Sequence, residues 1–174
     1  MAGRSGGVFA WAGRLASLAA CAFFAALSLA GCDQRRIEKL EEGVSTEADV
    51  RREFGEPAAV FDEPGGARTL DYPRQPEGLV NYLVTVGPDG VMTALRQTLK
   101  PATFARVVPG LDRNEVRRLL GRPGRVQRYA LKRQEEWIWR WADGPTAREF
   151  GVVFDADGRV VSSAVGEDTK NTSH

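Results

Sequence analysis

From residue 43 onward the hydrophobic positions follow one pattern, and the pattern occurs twice. Val50 and Phe54 stand four residues apart, which places them on one face of a helix. Val116, Leu119 and Leu120 repeat that spacing. After each helical stretch the polar and apolar positions alternate as they do in strands. In the first copy these runs are 68–72, 79–86 and 91–99. In the second they are 136–142, 148–154 and 160–165. Gly65-Gly66, Gly87-Pro88-Asp89-Gly90, Asp143-Gly144-Pro145 and Asp155-Ala156-Asp157-Gly158 separate the runs as turns. Residues 58–61 and 125–130 add short extended pieces, and 36–42 and 103–107 are short helical candidates that precede each copy.

The two copies align closely. Gly43 maps to Gly110 at an offset of 67, Gly55 and Pro57 map to Gly121 and Pro123 at 66, and Asp89-Gly90 maps to Asp157-Gly158 at 68. Ser45 or Thr46 can cap the first helix, and Asp112 the second, with Glu115 three residues later as in a capping box. Gly55 and Gly121 stop the helices, with Pro57 and Pro123 just beyond. Helices of two to three turns do not stand alone in water, so they need a sheet to lie on. The expected fold class is α+β: two tandem repeats of helix, helix and a three-stranded antiparallel meander, with the helices packed on one face. Either the two sheets join edge to edge or the helices pack together. The repeats cover 37–99 and 100–166.

The first residues read as an address rather than as part of the fold. Residues 1–31 contain Arg4 and Arg14 and no acidic residue, and 15–29 form an uncharged, mostly apolar run. That run is short for a membrane span and suits a secretory signal. Leu29-Ala30-Gly31-Cys32 then resembles the lipobox of bacterial lipoproteins. The resemblance implies cleavage between Gly31 and Cys32 and a lipid on Cys32. Residues 32–36 would then form a lipidated tether, and Cys21 would leave with the signal. More than one acyl chain gives stable anchoring. No other long apolar run exists, and residues 167–174 read as a disordered tail.

The Gly-x-Ser/Thr start, the Val, the Leu/Phe-Gly-x-Pro helix end, the aromatic strand and the late Asp-Gly hairpin resemble the SmpA/OmlA (BamE-like) family of small lipoproteins. Residues 37–98 and 104–165 carry this pattern. The resemblance implies a role in outer-membrane β-barrel assembly and partners among the subunits of that machine. The family pattern is a single copy, whereas this chain has two. A duplicated unit of this kind is also similar to β-lactamase-inhibitor proteins, which bind hydrolases through a concave sheet. Asp33 and Gln34 after the lipobox resemble an inner-membrane retention signal of enteric lipoproteins, while the family resemblance favours the outer membrane.

Charge and aromatic residues supply the candidate binding surfaces. Among the 174 residues, 24 are basic and 23 acidic, so the chain as a whole is not built to coat nucleic acid. The balance is local: residues 33–80 carry 7 basic and 12 acidic side chains, and residues 100–142 carry 11 and 4. Arg117, Arg118, Arg122, Arg125, Arg128, Lys132 and Arg133 lie in a stretch without an acid. They either form solvated surface, dock the second repeat on the acidic first, or meet anionic phospholipid or an acidic partner. Trp137, Trp139 and Trp141 alternate along one strand and share one sheet face, with Tyr72 as the first-copy counterpart. That face is either core beneath the helices or an aromatic binding surface.

Catalysis has little to build on. The one histidine is His174, and Cys32 is expected to be acylated. Glu135 and Glu136 fall on opposite sheet faces. No metal and no cofactor beyond a covalent lipid is expected. The expectation is a non-catalytic periplasmic scaffold that binds envelope proteins, with a hydrolase inhibitor or sensor as the alternative, and no nucleic-acid partner.

Overall fold

A computed structural model of the chain describes residues 33–169. The expected signal peptide, its cleavage site at Gly31 and Cys32, and the last five residues of the expected tail lie outside them. Residues 33–37 are helical and 38–39 form a turn, so the helical stretch expected at 36–42 ends earlier than its pattern suggests. Everything from Leu40 onward belongs to one compact unit.

That unit is α+β, with two four-stranded antiparallel sheets. In the first half, α1 (Glu47–Phe54) precedes β1 (Ala59–Asp62), β2 (Arg68–Pro73), β3 (Asn81–Val86) and β4 (Met92–Gln97). In the second, α2 (Pro101–Phe104) and α3 (Arg113–Leu120) precede β5 (Arg125–Tyr129), β6 (Gln134–Asp143), β7 (Thr146–Phe154) and β8 (Val160–Glu167). Each sheet has its strands in chain order.

The fourth strand corrects the three-stranded expectation. β1 pairs along its whole length with β2, from Ala59 opposite Asp71 to Asp62 opposite Arg68. β5 does the same with β6. Both are edge strands held by backbone hydrogen bonds rather than by buried side chains, and β5 is largely exposed. Hydrophobic alternation is weak in such strands, so their sequence shows less than their backbone does.

Local chemistry fixes the helices. The Thr46 hydroxyl accepts from the Asp49 N–H at 3.3 Å, and the Thr46 N–H donates to Asp49 Oδ2 at 2.8 Å. The Thr46 N–H, and after it the Thr46 hydroxyl donating to Asp49 Oδ2 at 2.7 Å, hold the Asp49 carboxyl down to about 2. Thr46 rather than Ser45 is therefore the cap; the Ser45 hydroxyl accepts from Glu41 instead. Asp112 and Glu115 make the same reciprocal pair at 2.9 and 2.7 Å. Gly55 and Gly121 end the helices at φ of 82° and 76°, a region that suits glycine.

The packing explains why the halves look alike. Val50 and Phe54 sit on Leu70, Tyr72, Tyr82 and Val84, with the Phe54 ring 5.2 Å from Tyr72 and 5.6 Å from Tyr82. The equivalent side chains in the second half are Val116 and Leu120 over Trp137, Trp139, Phe150 and Val152. Each of these large side chains contributes roughly 1.5–3 kcal/mol by leaving water.

The sheets do not join. The outer edge of β4 is already occupied: Gly43 N–H donates to Met92 O, Met92 N–H to Ser45 O, and Leu95 N–H to the Glu42 carboxylate. The chain then runs inward as α2 and α3, and these helices separate the sheets. One side of α3 packs on the tryptophan face of the second sheet. Its end and its other side meet the far face of the first sheet, where Asp71, Asn81 and Leu83 point away from α1. The layers therefore run α1, first sheet, α2 with α3, second sheet. The first sheet is covered on both faces.

Candidate functional site

The junction between the halves is built from buried polar groups. Asp71 is fully buried; its Oδ2 accepts from Arg117 Nη2 and from the Arg122 N–H, both at 3.1 Å. Burial pushes the Asp71 carboxyl up, and the Arg117 guanidinium opposes that. Asn81, also fully buried, donates from Nδ2 to Leu120 O at 2.9 Å and to Arg122 O at 3.0 Å. The Thr98 hydroxyl donates to Leu120 O at 2.9 Å, and Trp139 Nε1 to Gly121 O at 3.2 Å. The last carbonyl of α3, which a helix leaves unpaired at its C-terminus, and the two carbonyls that follow it are thus satisfied by Asn81, Thr98 and a tryptophan. Gln75 adds a second junction: its Nε2 donates to Arg140 O at 2.7 Å, and the Arg140 N–H donates to its Oε1 at 3.1 Å. The side-chain amide continues the β6 edge where β5 ends.

Away from this junction the helices and the first sheet stand apart, and a cleft of about 550 Å³ opens between them. Thr69, Thr85 and Arg96 line it from the sheet, and Leu111, Arg118 and Leu119 from the helix side. Arg96, Arg106, Arg118 and Leu119 also line an adjoining cavity of about 300 Å³ that reaches Leu83 and Lys100. Two carboxylates stand at the cleft, and both are engaged. Glu63 pairs with Arg118, and Glu115 closes the α3 capping box. Among the described residues no carboxylate pairs with Arg96, Lys100 or Arg106. The cleft therefore combines hydroxyls and leucines with cations that have no internal counter-charge. It is suited to holding an acidic, partly apolar segment.

The candidates expected from the sequence fall in two groups. Trp137, Trp139 and Trp141 are 9%, 0% and 4% exposed. Phe104 of α2 lies edge-on to Trp141 at 5.0 Å and stacks on Phe150 at 4.1 Å. The tryptophan face is the core beneath α2 and α3, which answers the alternative of an open aromatic surface. The arginines are mostly engaged. Arg117 holds Asp71, and Arg118 holds Glu63 and the carbonyl of Asp62, both above the Phe61 ring at 5.8 and 5.2 Å. These two realise the docking of the basic second half on the acidic first. Arg125 pairs with Glu149 at 3.1 Å and Arg128 with Glu135 at 2.9 Å. Arg122 uses its backbone N–H and leaves its side chain exposed.

The expected tail also needs correction. Glu167 ends β8, Asp168 is 3% exposed and takes Arg140 in a bidentate pair, and the Thr169 hydroxyl donates to Glu149 at 2.8 Å. A buried carboxylate with a bidentate arginine holds the chain to this point.

Arg96 and Arg106 did not stand out in the sequence. Both lie outside the acid-free run of 117–133, and only the pairing of Arg96 with Leu83 in the strand register places it on the far sheet face.

No family model matches the chain, and no curated protein does. Among solved structures it is similar to a DUF4309 family protein (YjgB) from Bacillus subtilis. The two share 17% identity over 74% of this chain and 82% of that one, with a TM-score of 0.29.

Proposed function

We propose that the chain is a lipid-anchored periplasmic protein that acts as a non-catalytic scaffold, made of tandem SmpA/OmlA-like repeats. In this reading the cleft between the repeats holds an acidic segment of an envelope protein. The observation that carries it is the cleft itself, where Arg96, Lys100 and Arg106 face open space without a carboxylate partner among the described residues. The lipobox-like run ending at Cys32 supports the anchor. The Gly-x-Ser/Thr start of the first copy and the Leu/Phe-Gly-x-Pro helix end in both copies support a place in outer-membrane β-barrel assembly. Anchoring confines both partners to one surface and raises their effective concentration, so the cleft contact can be weak. The rival reading as a hydrolase inhibitor needed Trp137, Trp139 and Trp141 as exposed anchors, and these are buried.

The test is co-purification of the full-length protein from its native membrane in mild detergent, with identification of what accompanies it. Wild type is expected to bring down β-barrel assembly subunits, with less recovered from a Cys32→Ser chain. The double variant Arg96→Glu/Arg106→Glu is expected to lose them at an unchanged melting temperature, because both side chains are exposed. Wild-type recovery should also weaken with added salt. Undiminished recovery with the double variant would remove the cleft from the reading, and recovery of a hydrolase alone would sink the assembly role.

A further inference from the structure

Four sheet edges exist in the described unit, and three are protected. β1 has only four residues, and Arg118 bonds the carbonyl of its last one. β5 is five residues long and carries Arg125 and Arg128. β4 is covered by residues 42–45, as described above. β8 is different. It is eight residues long, and Val160 to Gly166 carry no charge. Long, flat, uncharged edges are templates for another strand.

The internal repeat supplies the control. Val160 is held as Met92 is: Gly110 N–H donates to Val160 O, and Val160 N–H to Leu111 O. Beyond it the backbone is left uncapped: at Ser163 the side-chain hydroxyl, not the N–H, meets the preceding segment, donating to Val107 O at 3.5 Å. Leu95 corresponds to Ser163, each lying three residues beyond the held position and opposite Val84 and Val152 respectively. In the first repeat the Leu95 N–H is capped by Glu42. The residue in the place of Glu42 is Pro109, one before Gly110 as Glu42 is one before Gly43, and its side chain has no acceptor to offer. By the same register, Ser163, Val165 and Glu167 turn their N–H and C=O groups outward, and among the described residues no backbone group pairs with them there. Val165 is 48% exposed.

We infer that this edge pairs with a second copy of the chain, β8 against β8, antiparallel, with Val165 on the two-fold axis. In that register Ser163 faces Glu167 of the other copy, and the two Val165 side chains meet. The strand can face itself because no basic or acidic side chain lies between Val160 and Gly166, so no like charges oppose each other across the axis. A register centred nearer Val160 is blocked by residues 110–111, which already occupy that end. Pairing from Ser163 to Glu167 leaves them in place and joins two four-stranded sheets into one of eight strands.

The experiment is sedimentation equilibrium of the full-length protein in density-matched detergent, run on wild type and three variants. Val165→Lys puts two positive charges on the axis. Ser163→Pro removes an outward N–H, together with the hydroxyl contact to Val107 O, without touching the pairing with β7. Pro109→Glu restores the cap that Glu42 provides in the first repeat. Wild type is expected at twice the monomer mass at micromolar concentration, and each variant at half of that with an unchanged circular dichroism spectrum. Because Val165 is exposed, its variant tests the edge even if Ser163→Pro disturbs folding. A monomeric wild type, or a dimer that survives both Val165→Lys and Pro109→Glu, would overturn the pairing. So would a monomer whose Ser163 and Val165 amides gain hydrogen-exchange protection only when a strand from another envelope protein is added; the edge would then belong to a foreign strand.

Discussion

Asp71 shows how one residue can tie two repeats together. It interrupts an apolar strand between Leu70 and Tyr72, and its side chain points to the face opposite theirs, where Arg117 and the Arg122 N–H receive it. Removing one partner of a buried pair leaves an uncompensated charge, so Arg117→Ala is expected to lower unfolding free energy by about 3 kcal/mol at neutral pH in urea titrations. The pH dependence has a definite sign. Burial raises the Asp71 carboxyl above its ordinary value, so the folded state binds the proton more readily than the unfolded chain. Stability from this group is fully present below the unfolded value of 3.8 and is lost as pH rises through the folded value. The Arg117→Ala deficit is therefore expected to shrink on acidification, as protonated Asp71 no longer needs a counter-charge. A deficit that grows at low pH would contradict this. Asp49 behaves oppositely: its contribution is lost as pH falls toward about 2.

At the scale of elements, the two helix ends make an internal comparison. Gly55 and Gly121 share a positive φ, so a side chain at either is strained. Only Gly121 is also crowded. A Cβ there would lie 2.7 Å from Asp71 Oδ1 and 3.1 Å from Asn81 Nδ2, whereas at Gly55 nothing lies within 4 Å. Gly55→Ala is expected to cost about 1 kcal/mol from backbone strain alone. Gly121→Ala is expected to cost clearly more, because it also forces the junction apart. Equal losses in thermal melts would mean that the junction yields to a methyl group. The glycine positions, the capping residues and the apolar helix faces were legible in the sequence, since each rests on contacts within a few residues. β1 and β5 were legible only as extended pieces, because their stability comes from backbone pairing with a partner strand.

On the scale of the whole molecule, α3 belongs to both halves at once. Val116 and Leu120 pack on the tryptophan face, while the α3 C-terminus is satisfied by Asn81 and Thr98 of the first repeat. Unfolding one repeat would strip hydrogen bonds from the other. Calorimetry is expected to show a single transition for residues from 40 onward, with the calorimetric enthalpy equal to the van't Hoff value. Two separated transitions would show that the repeats are independent domains. Arg96 and Arg106 meet at the cleft only through this docking, which is why neither stood out along the chain.

The sequence by itself determined the twofold pattern, the α+β class, the caps and stops of α1 and α3, and which side chains share each strand face. All of these follow from spacing along the chain, where a period of two or of 3.6 sets direction. It could not determine what covers each face. The tertiary structure decided that Trp137, Trp139 and Trp141 are core, that Arg117 and Arg118 dock on the first repeat, that the sheets stay apart, and that among the described residues β8 alone keeps a long open edge. Periodicity places residues on a common face, but whether that face meets water, a helix or another sheet depends on contacts between residues distant in sequence.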